Sequence, residues 1–148
     1  MAIMSASYLK NAKRVVIKIG SALIVDQKTG ALKEKWLSAL VKDIVLLQQQ
    51  GKEVIIVTSG SVALGRKSIS AKGKLVKLED KQAAAACGQI ELMRYFQKYL
   101  GENNLKSAQI LVTVFDSENR RHYLNVRNTV ETLLSHQVVP VINENDTV

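Results

Sequence analysis

Cross-linking and metal-binding residues are almost missing from this sequence. Its 148 residues include one cysteine and two histidines, and aromatic side chains make up only 5%. Cys87 alone cannot close an intrachain disulfide and offers no zinc pattern, so a reducing, cytoplasmic setting is expected. His122 and His136 lack a spacing suited to a metal site, and no metal ligands are assigned. No apolar run approaches the roughly 20 residues that span a bilayer, and the opening MAIMSASYLKNAKR lacks the apolar core of a secretory signal. No membrane partner is expected. Acidic residues are also in the minority, 13 against 21 basic, which leaves a net charge of +8. Such an excess invites a nucleic-acid reading. Residues 66–81, however, set Arg66, Lys67, Lys72, Lys74, Lys77 and Lys81 against Glu79 and Asp80 with no aromatic residue interleaved for base stacking. That stretch reads as a long, solvated surface loop. Arg120, Arg121 and Arg127 form a second basic surface, diluted by Glu118 and Glu131. Nucleic acid is not an expected partner, and a basic nucleic-acid-binding domain stays as the lesser alternative.

What the sequence does have is an apolar core. Hydrophobic residues make up 47% and charged residues 23%, ordinary values for one globular domain of this size. VVIKIG (15–20), EVIIVTSG (53–60), QILVT (109–113) and VVPVIN (138–143) are short β-branched runs without clean alternation, as expected of strands covered on both faces. Between them lie helical patterns. Trp36, Leu37, Leu40, Val41, Ile44, Val45 and Leu47 form one stripe, and Gly51 supplies its stop. A second, alanine-rich pattern covers about residues 80–100, and a third covers about 117–135. Strand and helix alternating in this way is the grammar of an open parallel sheet layered between helices, an αβα sandwich. Cys87, among alanines and beside Gly88, reads as a packing residue at a tight helix contact.

In such sheets ligands bind beyond the carboxyl ends of the strands, and here those ends carry the polar groups. The first run ends in Lys18, Gly20 and Ser21, the second in Thr58, Ser59 and Gly60, and the fourth in Asn143-Glu144-Asn145-Asp146. Parallel strands would bring all three groups to one rim. Each has a plainer reading. Lys18 either meets an anion or reaches water from the strand end, because an unpaired buried ammonium is costly. Gly20 and Ser21 allow close backbone approach to a phosphate. Ser59 or Thr58 either binds a ligand or caps the following helix. Asn143 and Asp146 either hold a ligand or form an Asx-rich turn. The stretch GSVALGRKS (60–68) nearly spells a P-loop, but Arg66 stands where its lysine belongs. Lys67 comes one residue late, a rotation of ~100° on a helix.

VVIKIGS (15–21), VIIVTSGSVALGR (54–66), KQAAAACGQ (81–89), YLNVRNTVETLL (123–134) and VPVINENDTV (139–148) together resemble the amino acid kinase family, in its glutamate 5-kinase branch. They occur in the family's order and cover nearly the whole chain. The resemblance implies the amino acid kinase fold, here incomplete. It also implies ATP-dependent phosphorylation of the L-glutamate side-chain carboxylate to L-glutamyl 5-phosphate, the first step of proline biosynthesis, with Mg²⁺. By resemblance, Lys18 is the catalytic, nucleotide-phosphate lysine, with Gly20 and Ser21 along the phosphate path. Ser59, Gly60, Asn143 and Asp146 become glutamate-binding residues. Proline as feedback inhibitor and a homo-oligomeric complete enzyme are implied in the same way. Family members continue into a second acidic loop and the segments that hold adenine, ribose and a second lysine. The resemblance therefore implies that residues 1–148 are the N-terminal, glutamate-binding part, with the nucleotide-binding part absent. A glutamate-binding fragment without catalysis is the alternative.

Overall fold

The computed structural model describes residues 8–26, 28–70, 75 and 77–148. Four strands form the sheet: β1 (Arg14–Ile19), β2 (Glu53–Thr58), β3 (Lys106–Val112) and β4 (Val138–Glu144). The helices that accompany them include α1 (Ser21–Ile24), α2 (Glu34–Gln49), α3 (Ser61–Ile69), α4 (Leu78–Gly101), α5 (Val114–Glu118) and α6 (Arg120–Ser135). All strand pairings are parallel and the order across the sheet is β1-β2-β4-β3. The carboxyl ends of β1, β2 and β4 therefore adjoin, with Lys18 beside Val57 and Thr58 beside Asn143.

Side-chain alternation divides the core into two layers. On one face Ile19, Val54, Ile56, Val139 and Val141 pack against Leu37, Val41 and Ile44 of α2 and Leu92, Phe96 and Leu100 of α4. On the other, Ile55 and Ile110 meet Val130 and Leu134 of α6. Burying each such aliphatic side chain is worth roughly 1.5–3 kcal/mol, so the larger first layer dominates the hydrophobic stabilisation. The connections β1→β2 and β2→β3 step across the sheet in one direction and their helices cover the first face. The step β3→β4 runs back, and α6 covers the second, as crossovers of one hand require.

Local chemistry sets the helix ends. Gly51, at φ +75°, donates to the Gln48 carbonyl at 2.8 Å while Lys52 N–H donates to Leu47 O at 3.1 Å, closing α2 in a Schellman turn. Thr113 and Asp116 form a reciprocal capping box at the start of α5. The single helix expected over 117–135 is broken at Asn119, whose side chain accepts from the Arg121 and His122 amides and so restarts the chain as α6. Three other expectations need correction. Only β2 and β4 are covered on both faces; β1 and β3 are edges, and Val16 on β1 is 58% exposed. The surface loop expected over 66–81 is shorter, since residues 66–69 complete α3 and residues 78–81 begin α4, with 71–74 and 76 outside the described residues. Cys87 is exposed. The tight contact beside it belongs to Gly88, because on a helix the neighbouring position faces another way.

At that contact the backbones of α3 and α4 touch. A Cβ built on Gly65 of α3 would lie 1.9 Å from Ala84 O, and one built on Gly88 of α4 would lie 1.8 Å from Ser61 O. The near-P-loop glycine Gly65 is therefore a helix-crossing residue. Its helix has already started at Ser61, four residues earlier, so no loop exists there to wrap a phosphate.

Candidate functional site

A cleft of about 630 Å³ opens beyond the carboxyl ends of the strands. Ser21, Ser59, Gly60 and Asp146 line it together, four of the residues picked out from sequence and drawn from three separate strand ends. Ser59 N–H donates to Ile19 O at 3.1 Å, which ties the end of β2 to the end of β1. The Ser59 hydroxyl makes only a long bond, 3.4 Å, to the same carbonyl and is otherwise open to the cleft. Neither Ser59 nor Thr58 caps α3. Gly60 is its N-cap, at φ +121°, and no side chain accepts from the first turn. Side-chain-bearing residues are strained at that angle, and a Cβ at Gly60 would also press on Ile24 Cγ2 at 3.2 Å. The consequence is an uncapped helix start whose amides and positive dipole end open on the cleft.

Asp146 sits against that start. Its Oδ2 accepts from the hydroxyl of Ser61 at 3.3 Å, and Ser61 is 1% exposed. One carboxylate oxygen is thus held by the helix while the other lacks a hydrogen-bond partner among the described residues. The opposite wall is the turn after α1. There Asp26 Oδ1 accepts from the Lys28 amide, the Thr29 amide and the Thr29 hydroxyl, at 3.0, 2.8 and 3.0 Å. These bonds, the Thr29 amide foremost, hold the Asp26 carboxyl below the usual carboxylate range. Gly30, at φ +66°, lets the turn lie against the Lys67 side chain of α3. Charges of both signs line the cleft: Lys28, Arg66 and Lys67 against Asp26, Glu144 and Asp146. Such a lining suits a small ligand that carries both an ammonium and carboxylates.

The other sequence-derived residues lie around this cleft without lining it. Lys18 alternates with Ile17 and Ile19, which belong to the α2–α4 layer, so its side chain leaves the opposite face, where it is exposed. It has no hydrogen bond or ion pair to another described residue. Gly20 is the residue before α1, and the space where its Cβ would stand is empty to 4 Å. Asn143 is 2% exposed beneath the cleft floor. Its Oδ1 accepts from the Glu144 amide at 2.9 Å and its Nδ2 donates to Gln89 Oε1 on α4. The turn that follows is Asx-shaped, with Asn145 Oδ1 accepting from the Thr147 amide and hydroxyl. That shape and the placement of Asp146 in the cleft coexist.

Several residues that shape the cleft were not singled out from the sequence. Ser61 follows Gly60 directly, and only the helix start at that residue turns its hydroxyl toward Asp146. The segment DQKTG (26–30) carries a readable Asx-turn pattern, but nothing in the sequence places it opposite α3. Farther along the same rim, His122 Nδ1 pairs with Asp116 Oδ1 at 2.8 Å, and the ring meets Phe115 edge-on at 5.3 Å. Bonds from His122, then Thr113, hold the Asp116 carboxyl down at about 2. Among the described residues no group of three or more His, Cys, Asp or Glu is placed to hold a metal ion, and no helix is long and apolar enough to cross a membrane.

Comparison with known proteins fits this architecture. The amino acid kinase family model matches residues 13–148. The glutamate 5-kinase of Brucella abortus (strain S19) is 56% identical over 140 residues, covering 95% of this chain and 37% of that protein. The glutamate 5-kinase of Ruegeria sp. (strain TM1040) is 53% identical over 140 residues, covering 95% of this chain and 38% of that protein. The chain thus spans little more than a third of the length of the curated relatives it matches. With its parallel sheet, its rim of strand-end residues and a match from residue 13 to residue 148, the chain belongs to the amino acid kinase family.

Proposed function

We propose that this chain carries the acceptor-binding part of a kinase that phosphorylates the side-chain carboxylate of L-glutamate with ATP, yielding L-glutamyl 5-phosphate for proline synthesis. The observation that carries the reading is the convergence of Ser59, Gly60 and Asp146 on one cleft beside the uncapped start of α3. The free oxygen of Asp146 suits the substrate's α-ammonium. The amides at the start of α3, with Ser59, suit a carboxylate. Asn143 contributes from beneath by holding the backbone of the loop that presents Asp146.

The acceptor carboxylate is already ionised at neutral pH and needs no general base. One of its oxygens bonds to the γ-phosphorus as the bond to the ADP oxygen breaks, and ADP leaves with the electron pair. The obstacle is repulsion between anions, roughly 4 kcal/mol for two unit charges 4 Å apart at an effective dielectric of 20. Catalysis therefore rests on alignment and charge neutralisation. Lys18 is suited to neutralising nucleotide phosphate from the far side of the rim, with Gly20 and Ser21 offering backbone and hydroxyl donors between. Mg²⁺ bound to nucleotide supplies further neutralisation, and such ions keep waters and phosphate oxygens as most of their ligands. That habit is compatible with the lack of a carboxylate cage among the described residues. Proline, an amino acid of similar backbone chemistry, is the expected inhibitor at the same cleft. A cytoplasmic homo-oligomer is the expected form of a longer enzyme.

A coupled assay of ADP release with glutamate, ATP and Mg²⁺ tests the reaction, both on this chain and on a chimera that carries the remaining length of a relative. Activity in the chimera that requires Lys18 and Asp146 supports the proposal; a chimera active only on another amino acid overturns it. A second reading, glutamate binding without phosphoryl transfer, is favoured by the position of Lys18 outside the cleft. Calorimetry on these 148 residues separates the two, since that reading requires heat with glutamate and none with nucleotide.

A further inference from the structure

The buried polar residues of the described structure are Thr58, Ser61, Gln89 and Asn143; the chain neighbours of Thr58, Ser61 and Asn143 line the cleft, and Gln89 is bonded to Asn143. Three of them have their hydrogen bonds accounted for at the rim. Gln89 does not. It is 9% exposed, and its Nε2 is buried with no partner among the described residues. Its orientation follows from a chain of amides. The Glu144 N–H must meet an acceptor, so Asn143 turns its Oδ1 toward it. That leaves Asn143 Nδ2 facing Gln89, which must present Oε1 and keep Nε2 as the leftover donor. Flipping either amide would set donor against donor.

We infer that Gln89 is a positioning residue for the proposed glutamate site. Acting through Asn143, it fixes the 143–146 loop and with it the carboxylate of Asp146. The inference rests on the reading of this cleft as the acceptor site. Gln89 is well placed for this role because the preceding residue, Gly88, is where α4 touches α3 at Ser61. One short segment of α4 therefore sets both partners of the Ser61–Asp146 contact. Gly88 abuts the helix start that carries Ser61, and Gln89 anchors the strand end that leads to Asp146. A buried donor without an acceptor is costly, and a task at a site is one reason for a protein to keep such a group.

Side-chain and backbone amide signals of the ¹⁵N-labelled chain, followed during titration with L-glutamate, test this. Gln89→Met keeps the volume and removes the acceptor. It should stay folded, move the Asn143 side-chain and Asn145–Asp146 backbone signals, and weaken glutamate binding about tenfold. Gln89→Glu keeps an acceptor oxygen for Asn143 and should return the loop signals to their wild-type positions. Loop signals unmoved in a folded Gln89→Met variant would overturn the inference, as would unchanged glutamate affinity. If Gln89→Met fails to fold, loop signals displaced from their wild-type positions in Gln89→Glu overturn it instead. A wild-type chain that does not bind glutamate sinks the reading of the cleft. The link from Gln89 to the loop is still decided by the loop signals alone.

Discussion

Replacing Gly88 by alanine sets two well-known effects against each other. Helix propensity favours alanine over glycine in the middle of a helix by about 1 kcal/mol. Gly88 lies well inside the 24-residue helix α4, so propensity alone predicts stabilisation. Geometry predicts the reverse. The added Cβ would stand 1.8 Å from Ser61 O and 2.5 Å from Gly65 N, both backbone atoms on a neighbouring helix. Restoring ordinary contact requires α3 and α4 to separate by well over 1 Å, which strips dispersion contacts along the crossing. Overpacking of a closed core costs typically 1–3 kcal/mol, and a backbone clash belongs at or above the top of that range. We expect a net loss of about 3 kcal/mol, or roughly 6–12 °C in Tm for a chain of this length. Urea denaturation with circular dichroism measures it. Gly101→Ala is the internal control, because Gly101 lies in the last turn of the same helix with open space where its Cβ would be. That variant should be neutral or slightly stabilised. A Gly88→Ala chain as stable as wild type would refute the reasoning, since the two helices could then not be in backbone contact.

Other consequences follow from the site and the surface. Asp146→Ala should raise the glutamate concentration needed for half-saturation at least tenfold while the fold persists, checked by calorimetry beside circular dichroism. Lys18→Ala should leave glutamate affinity unchanged and lower turnover only, as read in the ADP assay of a chimera that carries the nucleotide-binding part. Asp116, held at about 2 instead of the ordinary 3.8, contributes stability that is fully present above about pH 4 and lost as pH falls through about 2. Asp116→Asn should therefore flatten the acid limb of a stability–pH profile between those values and leave the neutral plateau's slope unchanged. Arg14 donates to Glu53 at 2.7 Å and by two bonds to Glu131 at 2.7 and 2.8 Å, tying α6 to β1 and β2. Arg14→Met should cost a small amount of stability that shrinks as salt rises, because the pairs are solvent-facing.

Much of this architecture was legible in the residues. The four β-branched runs became the four strands, and the stripe from Trp36 to Leu47 became α2, because burial against a sheet demands those patterns. The shared rim was legible too, once the strands were taken as parallel. What escaped has physical reasons. Nothing in VVIKIG says that β1 is an edge; strand order emerges from how the crossovers pack, and β4 inserts between β2 and β3. The same ignorance of sheet faces hid where Lys18 points, since a shift of one residue sends a side chain to the other face. Asn119 splits a continuous helical pattern because a side-chain cap competes locally with a periodicity that continues past it. Gly65 and Gly88, 23 positions apart, read as a failed phosphate loop and an alanine-rich helix. Their common purpose exists only in three dimensions. Gln89 carried no signal for the same reason, since its partner Asn143 lies on a distant strand.

The account turns on whether the cleft beyond β1, β2 and β4 holds L-glutamate. Titrating the ¹⁵N-labelled chain with L-glutamate and following every backbone amide tests that directly. Saturable shifts at Ser59, Gly60, Ser61 and Asp146, suppressed by Asp146→Ala, are the predicted result. Shifts centred away from those four residues, or none at any glutamate concentration up to tens of millimolar, would contradict it.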